Sequence, residues 1–600
     1  MSDIESRTID EVQSSTRFLL KSFNSKISAL KDSSHDIRQL LRFGVDYESA
    51  CMTASKFFGD SPVDYIAIDG TQSIDQKLDL LVFYIGAFGY MGNIKFPENN
   101  LVIGDPRPIG GDFSLSTAIP LSEDEATSVY GQPTQSGVEI EIERLPSSLM
   151  HLAEYYLAYT TVKENESLRI ILLDRTLAGD IGHFNWSVKD LIKSGLSILE
   201  GIETSYGVVS NFDLDLARML LPNADLKIPA PRSHLLKYAA IYHLFGGQTR
   251  SLAEIIGELG ANQERLSKLS KDFEEFEREF HIFEKVLDYK LKDGVVSSWE
   301  RVLEAALKVA DHVFHPHGEY PLRFKKNDRE FWITADDVDL LTLIFISVLT
   351  RMAWKKNLLL LGLIKDTGAA ELVRTVIPLL EFSSKIKLQK ELPDFHSDKM
   401  LLQTNSVANA TDVLTPWHTI DTDAAFKTIA PIHDSKLGKG EARVLGAFRN
   451  VIYPERTFVK SYIQMWSSKR NPAVRSHVFS FDRPAYAQYD HWDELLLHNE
   501  DSSINEKIRP ILHFDRESEM TNLAMAILVK MGEEVVPEAL GHNYPLFMAD
   551  KKAKAILNQT REAYLGAVDL EMSRSGLDQQ VLFSSRFRDY RSQIEAKRKT

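Results

Sequence analysis

Tyr65-Ile66-Ala67-Ile68-Asp69-Gly70 is a short apolar run closed by an Asp-Gly pair, the pattern of a buried strand that stops in a turn. A second apolar run, Leu80 to Met91, begins only a few residues later. That gap is too short for a helical crossover, so the two are expected to pair antiparallel. Leu168–Leu173 reads as another buried strand and ends in Asp174, while Leu358–Ile364 is a third, ending in Lys365-Asp366. Thr457–Trp466 and His477–Phe481 look like paired strands separated by Lys469, Arg470, Asn471 and Pro472. Residues 95–137 carry much of the Gly, Pro and Ser and are expected to be loop.

Helical spacing surrounds these strands. Phe18, Leu19, Phe23, Ile27 and Leu30 recur at three and four, which predicts an N-terminal helical cap or dimerisation element over 1–58. Leu266, Leu269, Phe273, Phe276, Phe280, Phe283 and Leu287 form an a/d stripe with charged residues between. It predicts a coiled-coil-like helix, or equally an ordinary amphipathic core helix. With helical patterns at Leu252–Leu259 and Trp299–Phe314, it marks 235–320 as a helical insertion or arm. Residues 503–531 and 547–572 also read as helix. The expected class is α/β, a mixed sheet with flanking helices. Its halves span 59–234 and 321–575, and a basic tail covers 576–600.

Composition bounds the function. The chain has 600 residues, 44% hydrophobic and 26% charged, with a net charge of −15, so it is globular rather than disordered. Lys and Arg number 70 against 85 Asp and Glu, which argues against a protein that coats nucleic acid over its whole surface. A groove lined with basic residues remains open. A lone cysteine, Cys51, excludes an internal disulfide and a cysteine zinc site. The opening MSDIESRTIDEVQSS lacks a secretory pattern. The longest apolar runs, Leu80–Gly92 and Leu340–Val348, fall short of the roughly 20 residues that cross a bilayer. A cytoplasmic chain with no membrane role is expected.

The chemistry points to the two strand-end carboxylates, Asp69 and Asp174. Buried carboxylates are costly unless paired or bound to a cation, and converging ones suit the hard ions Mg²⁺ and Mn²⁺. Each also has a plain alternative: Asp69-Gly70 is a common turn pair, and Asp174 could cap the next helix. Glu154 lies on the helix before Asp174, and Glu139, Glu141 and Glu143 alternate nearby on a possible strand.

Several motifs resemble, in order, those of the NurA nuclease family, partners of the HerA translocase. Ile66-Ala67-Ile68-Asp69-Gly70-Thr71-Gln72 resembles its opening (A/V)-x-D-G-(S/T) element. Ile170–Leu177 resembles its LLLDGSL strand, with Arg175 in place of the usual Gly. Leu361–Asp366 is similar to (I/L)GVVKDS, Arg456–Lys460 to R-x-Y-x-R/K, and Gly541–Asp550, GHNYPLFMAD, to G-Y-P-x-P-L-x-x-A-H. The last element departs from the family: His542 falls at its Tyr and Asp550 at its His, while Tyr544 is displaced by two residues.

The resemblance implies an RNase H-like core with a five-stranded mixed sheet. It implies that Asp69, Glu154 and Asp174, with Asp550 added, hold Mn²⁺ or Mg²⁺, and that Lys365 faces the scissile phosphate. His542 and Tyr544 would complete the catalytic group, and Arg456, Lys460 and Arg175 would contact DNA. It further implies a deoxyribonuclease, exonucleolytic or a single-strand endonuclease, that works as a homodimer with a HerA-like hexameric ATPase in DNA-end processing or antiviral defence. No G-x-x-x-x-G-K-[ST] is present, the nearest text being Leu437–Arg443, LGKGEAR, so ATP hydrolysis would fall to another chain. No G-x-S-x-G supports an esterase, and Pro316 separates His317 from His312 and His315, which argues against a helical zinc site. The altered Asp550 and Arg175 leave a second possibility, a weakened or non-catalytic scaffold of the same fold.

Overall fold

The computed structural model describes residues 3–59, 62–77, 80–97, 100–104, 113–122, 135–218, 236–245, 247–258, 266–285, 288–326, 328–365, 367–382, 385–389, 392–393, 395–423, 429–433, 442–446, 458–490, 495–498, 505–508, 511–533 and 542–575. Arg456 and the basic tail lie outside them. In chain order the elements that matter are α1 (Asp3–Asp32), β1 (Leu41–Phe43), α2 (Tyr47–Phe58), β2 (Val63–Lys77), β3 (Leu80–Lys95), β4 (Val102–Ile103), β5 (Ser114–Ser122), α3 (Gln135–Glu164), β6 (Leu168–Leu173) and α4 (Leu177–Ser194). There follow α5 (Leu266–Phe280), α6 (Ser298–Phe314), α7 (Ala335–Lys356), β7 (Leu359–Ile364), β8 (Trp417–Thr419), β9 (Thr422–Asp423), β10 (Phe458–Gln464), β11 (Phe479–Pro484), α8 (Glu519–Met531) and α9 (Tyr544–Ser575).

The strands form one mixed sheet in the order β1-β8-β10-β11-β7-β6-β2-β3-β4, with β9 on β10 and β5 on β3. At its centre β2, β6 and β7 run parallel, and antiparallel strands extend both sides. With 11 strands it is larger than the expected five-stranded core. The parallel strands read as continuous apolar text because both faces are covered. Ile66, Ile68, Ile171, Leu173 and Leu360 point into one core shared with α3, α4, α6 and α7. Tyr65, Ala67, Ile170, Leu172 and Leu361 point into the opposite core, against α2, α8 and the start of α9. The run Leu340–Val348 lies in α7, a helix buried almost all round. No helix among the described residues is long and apolar enough to cross a membrane.

Several expectations differ from the structure. The stretch expected as loop contains β4 and β5, and β5 pairs with β3 from Ser114 to Ser122. Glu139, Glu141 and Glu143 belong to α3, not to a strand. The 503–531 segment holds a short strand at Asn505–Ile508 before α8 starts at Glu519. The a/d stripe stops at Phe280, since His281 takes φ 52° and Phe283 begins a small hairpin strand. Leu269, Phe273 and Phe276 face a local core with Phe212, Ile241, Ile255 and Tyr289, so the stripe is the buried face of one packed helix and not a coiled-coil arm. α6 joins the main core instead. In the N-terminal segment, Phe18 and Leu19 of α1 are exposed, whereas Ala50, Ala54 and Phe57 of α2 belong to the core beside the sheet.

Candidate active site

Asp69 and Asp174 meet because of register. In the parallel pair β2–β6, Ile66 is level with Ile171 and Ile68 with Leu173. The next residues, Asp69 and Asp174, are therefore level on neighbouring strands about 4.8 Å apart. Strand alternation puts both on the face of Ala67 and Leu172, where α9 begins. The turn expected at Asp69-Gly70 does not form: β2 runs on through both residues to Lys77, paired with β3, whereas β6 ends at Leu173. Asp174, just past the C-terminal edge of β6, therefore comes level with a carboxylate in the middle of β2, and like charges meet in one place.

Crowding and burial raise the proton affinity of these groups. Burial first, then the Glu154, Asp174 and Asp550 carboxylates, pushes Asp69 up to about 8, against the Gly70 N–H that donates to its Oδ1 at 2.8 Å. Asp174 is also raised, chiefly by burial and further by Asp550, while His542, Arg175 and Lys365 hold it down. Glu154 is pushed up to about 7 by burial, against the pull of Arg175. Gly70 admits Glu154: a Cβ there would lie 2.4 Å from the Glu154 Oε1 and 2.9 Å from the Met150 Cγ.

The structure thus brings Asp69, Asp174, Glu154, Asp550, His542 and Lys365 into one electrostatic neighbourhood. Asp550 of α9 pairs with Lys554 at 2.6 Å. The His542 Nδ1 lies 3.1 Å from the Asn543 carbonyl, and its ring meets Phe479 edge-on at 5.5 Å. Tyr544 packs against Tyr90 at 6.1 Å. Arg175, expected at the nucleic acid, is instead buried. Its Nε is 2.5 Å from the Glu154 Oε2, and its Nη1 donates to the Asp180 Oδ2 at 2.9 Å. Lys460 is half-buried on β10 and pairs with Glu371 at 3.0 Å. It borders a cavity of about 190 Å³ lined also by Thr176, Ile364, Thr367 and Asp482.

Sequence reasoning missed Asp482, which accepts hydrogen bonds from the Thr176 Oγ1 at 2.7 Å and from the Leu177 and Ala178 N–H groups at 3.0 Å. It ties β11 to the start of α4. Its signal was the one that marked Asp69 and Asp174, a lone Asp closing an apolar run. Asp180 is a second omission, lying one turn into α4, where its carboxylate also accepts from the Tyr155 hydroxyl at 2.9 Å.

The donor set fits a hard divalent cation. Two adjacent, half-buried carboxylates that repel each other gain a counter-ion when one binds, and Mg²⁺ commonly uses one or two carboxylates, water and substrate phosphates. Among the described residues no three His, Cys, Asp or Glu side chains enclose an ion on their own. His312, His315 and His317 form no such group: His315 pairs with Asp311 and the His312 Nε2 lies 3.2 Å from the Tyr320 carbonyl.

No protein-family model and no curated protein matches the chain. Among solved structures it is similar to the crystal structure of the NurA nuclease from Sulfolobus solfataricus, at 10% identity and a TM-score of 0.36, over 96% of this chain and 98% of that one. It is similar to a crystal structure of NurA with manganese at 12% identity and a TM-score of 0.34, over 93% and 98%. A structure of NurA bound to dAMP and manganese matches at 13% identity and a TM-score of 0.29, over 82% and 84%. These solved structures are NurA nucleases, the family that the motifs resemble, and at such identities and TM-scores the likeness assigns no residue of this chain a role.

Proposed function

We propose that the chain is a metal-dependent deoxyribonuclease that hydrolyses phosphodiester bonds at the Asp69–Asp174 edge of the sheet. The observation that carries this reading is the pair itself, two half-buried carboxylates, Asp69 on β2 and Asp174 one residue past the end of β6, each following the last paired residues Ile68 and Leu173, with Glu154 and Asp550 close enough to raise Asp69 further. Asp69 and Asp174 would hold Mn²⁺ or Mg²⁺, with Glu154 and Asp550 beside them. The ion, when bound, supplies an activated water and neutralises charge on the leaving oxygen. Lys365 places a positive charge beside Asp174, where it also meets charge that develops on the phosphate. His542, close enough to Asp174 to hold down its proton affinity, and Tyr544, packed against Tyr90, would complete the catalytic group. Lys460 reaches a DNA phosphate only by exchanging its Glu371 partner, and Arg456 is assigned to the same strand contact.

The motif order supports a partnership with a HerA-like hexameric ATPase and a homodimeric nuclease, since this chain carries no P-loop of its own. The acidic exterior discourages DNA that has not been fed to the site. The test is cleavage of linear duplex and single-stranded DNA with Mn²⁺ or Mg²⁺, with and without the ATPase. Asp69→Asn and Asp174→Asn should abolish cleavage while the circular dichroism spectrum is kept; unchanged activity in both refutes the assignment. A second reading, a scaffold subunit without chemistry, is favoured by the ion pair that Arg175 makes with Glu154, and it predicts no cleavage with either ion even in the full complex.

A further inference from the structure

Glu154 comes from α3, on the opposite face of the sheet from the Asp69 and Asp174 side chains, and already has a cation. Its carboxylate reaches the sheet over Gly70, and its Oε2 lies 2.5 Å from the Arg175 Nε. The same guanidinium donates to Asp180 at 2.9 Å and lies 5.7 Å above the Tyr155 ring. The Arg175 and Glu154 side chains are only 10% and 3% exposed. A guanidinium keeps its proton at any pH the protein survives. Swinging it outward would leave two carboxylates without their counter-charge in a poorly solvated place, which is strongly unfavourable.

Paired-ion hydrolysis needs carboxylate oxygens for both ions about 4 Å apart. Here the side of the site that Glu154 would serve is occupied by fixed positive charge, and a second divalent ion there would be repelled at close range. Asp69, Asp174 and Asp550 remain, and Asp550 shares its charge with Lys554. Resting on the nuclease reading above, we propose that the site takes a single divalent cation and that Arg175 permanently fills the place of a second by neutralising Glu154. Arg175 is then a positioning residue that sets how many ions bind, and Glu154 is its anchor and not a ligand.

The test counts Mn²⁺ bound per chain in chelator-stripped protein, from the paramagnetic resonance signal of the free ion. Wild type should bind one ion that Asp69→Asn loses. Glu154→Gln should retain that ion with unchanged affinity. Arg175→Ala should bind two, and the double variant Arg175→Ala/Glu154→Gln should return to one. Two Asp69-dependent ions in wild type, or loss of the ion in Glu154→Gln, would overturn the proposal while leaving the nuclease reading intact. No bound ion in wild type would sink both. Should Arg175→Ala fail to fold, the isosteric Glu154→Gln measurement decides alone.

Discussion

Replacing Asp69 by Asn removes a charge that the fold resists. The folded carboxyl is raised from 3.8 to about 8, and each pH unit corresponds to about 1.4 kcal/mol, so the ionised form costs on the order of 5 kcal/mol. The sign follows from linkage: a group that binds its proton more tightly when folded loses stability as pH rises, from about 4 until it levels off above about 8. At pH 5 the folded carboxyl is still protonated and only the first part of that loss has accrued. Between pH 5 and pH 8.5 the Asn variant should therefore gain on wild type by on the order of 4 kcal/mol. The assay is thermal or urea unfolding of both proteins in excess chelator across this range. Adding Mn²⁺ at pH 8.5 should raise the melting temperature of wild type and leave the variant unmoved, because only a native state that binds the ion is stabilised by it. A stability difference that stays constant with pH would refute the claim that Asp69 is crowded, and with it the electrostatic basis of the site.

Three other perturbations test separate parts of the fold. Gly70→Ala puts a methyl against the Glu154 carboxylate, which should cost about 1–3 kcal/mol and displace Glu154; a crystal structure with Glu154 unmoved would count against the close approach. Arg483 and Asp490 form a fully buried pair at 2.7 Å, so Asp490→Ala should destabilise by about 3–5 kcal/mol, read by urea unfolding, and a loss under 1 kcal/mol would contradict it. Phe273→Ala empties the centre of the core around α5 and should cost about 3–5 kcal/mol. Hydrogen exchange should then quicken around α5 and leave β2 and β6 protected; uniform quickening would mean that the two cores are not separable.

The central strands were legible because β2, β6 and β7 are covered on both faces and so spell unbroken apolar runs. The Asp that follows the apolar run of β2 and of β6 stood out for the same reason, although β2 itself continues to Lys77. β5 was not legible: its text, SLSTAIPLS, mixes Ser with a Pro that an edge position tolerates, so it reads as loop until β3 is seen beside it. The α5 stripe misled because three-and-four spacing records only that one face is buried, not what buries it. The site was half legible. Register follows from pattern, but the direction of Arg175 does not, since an arginine after a strand end reads the same whether it meets DNA or Glu154. Asp482 carries the same signal, an Asp after an apolar run, but its bonds to Thr176, Leu177 and Ala178 are invisible without the fold.

The adjacency of β2 and β6 also bears on when the candidate site can assemble. Asp69 and Asp174 become neighbours only after α3 has crossed between their strands, and the Asp550 that presses on Asp69 is borne by the last described helix. A chain still emerging from the ribosome therefore holds its carboxylates as scattered, solvated acids, because contacts so distant in sequence form late. On the proposed nuclease reading, the site would be complete only once α9 has been made, and a fragment lacking α9 would carry an incomplete site.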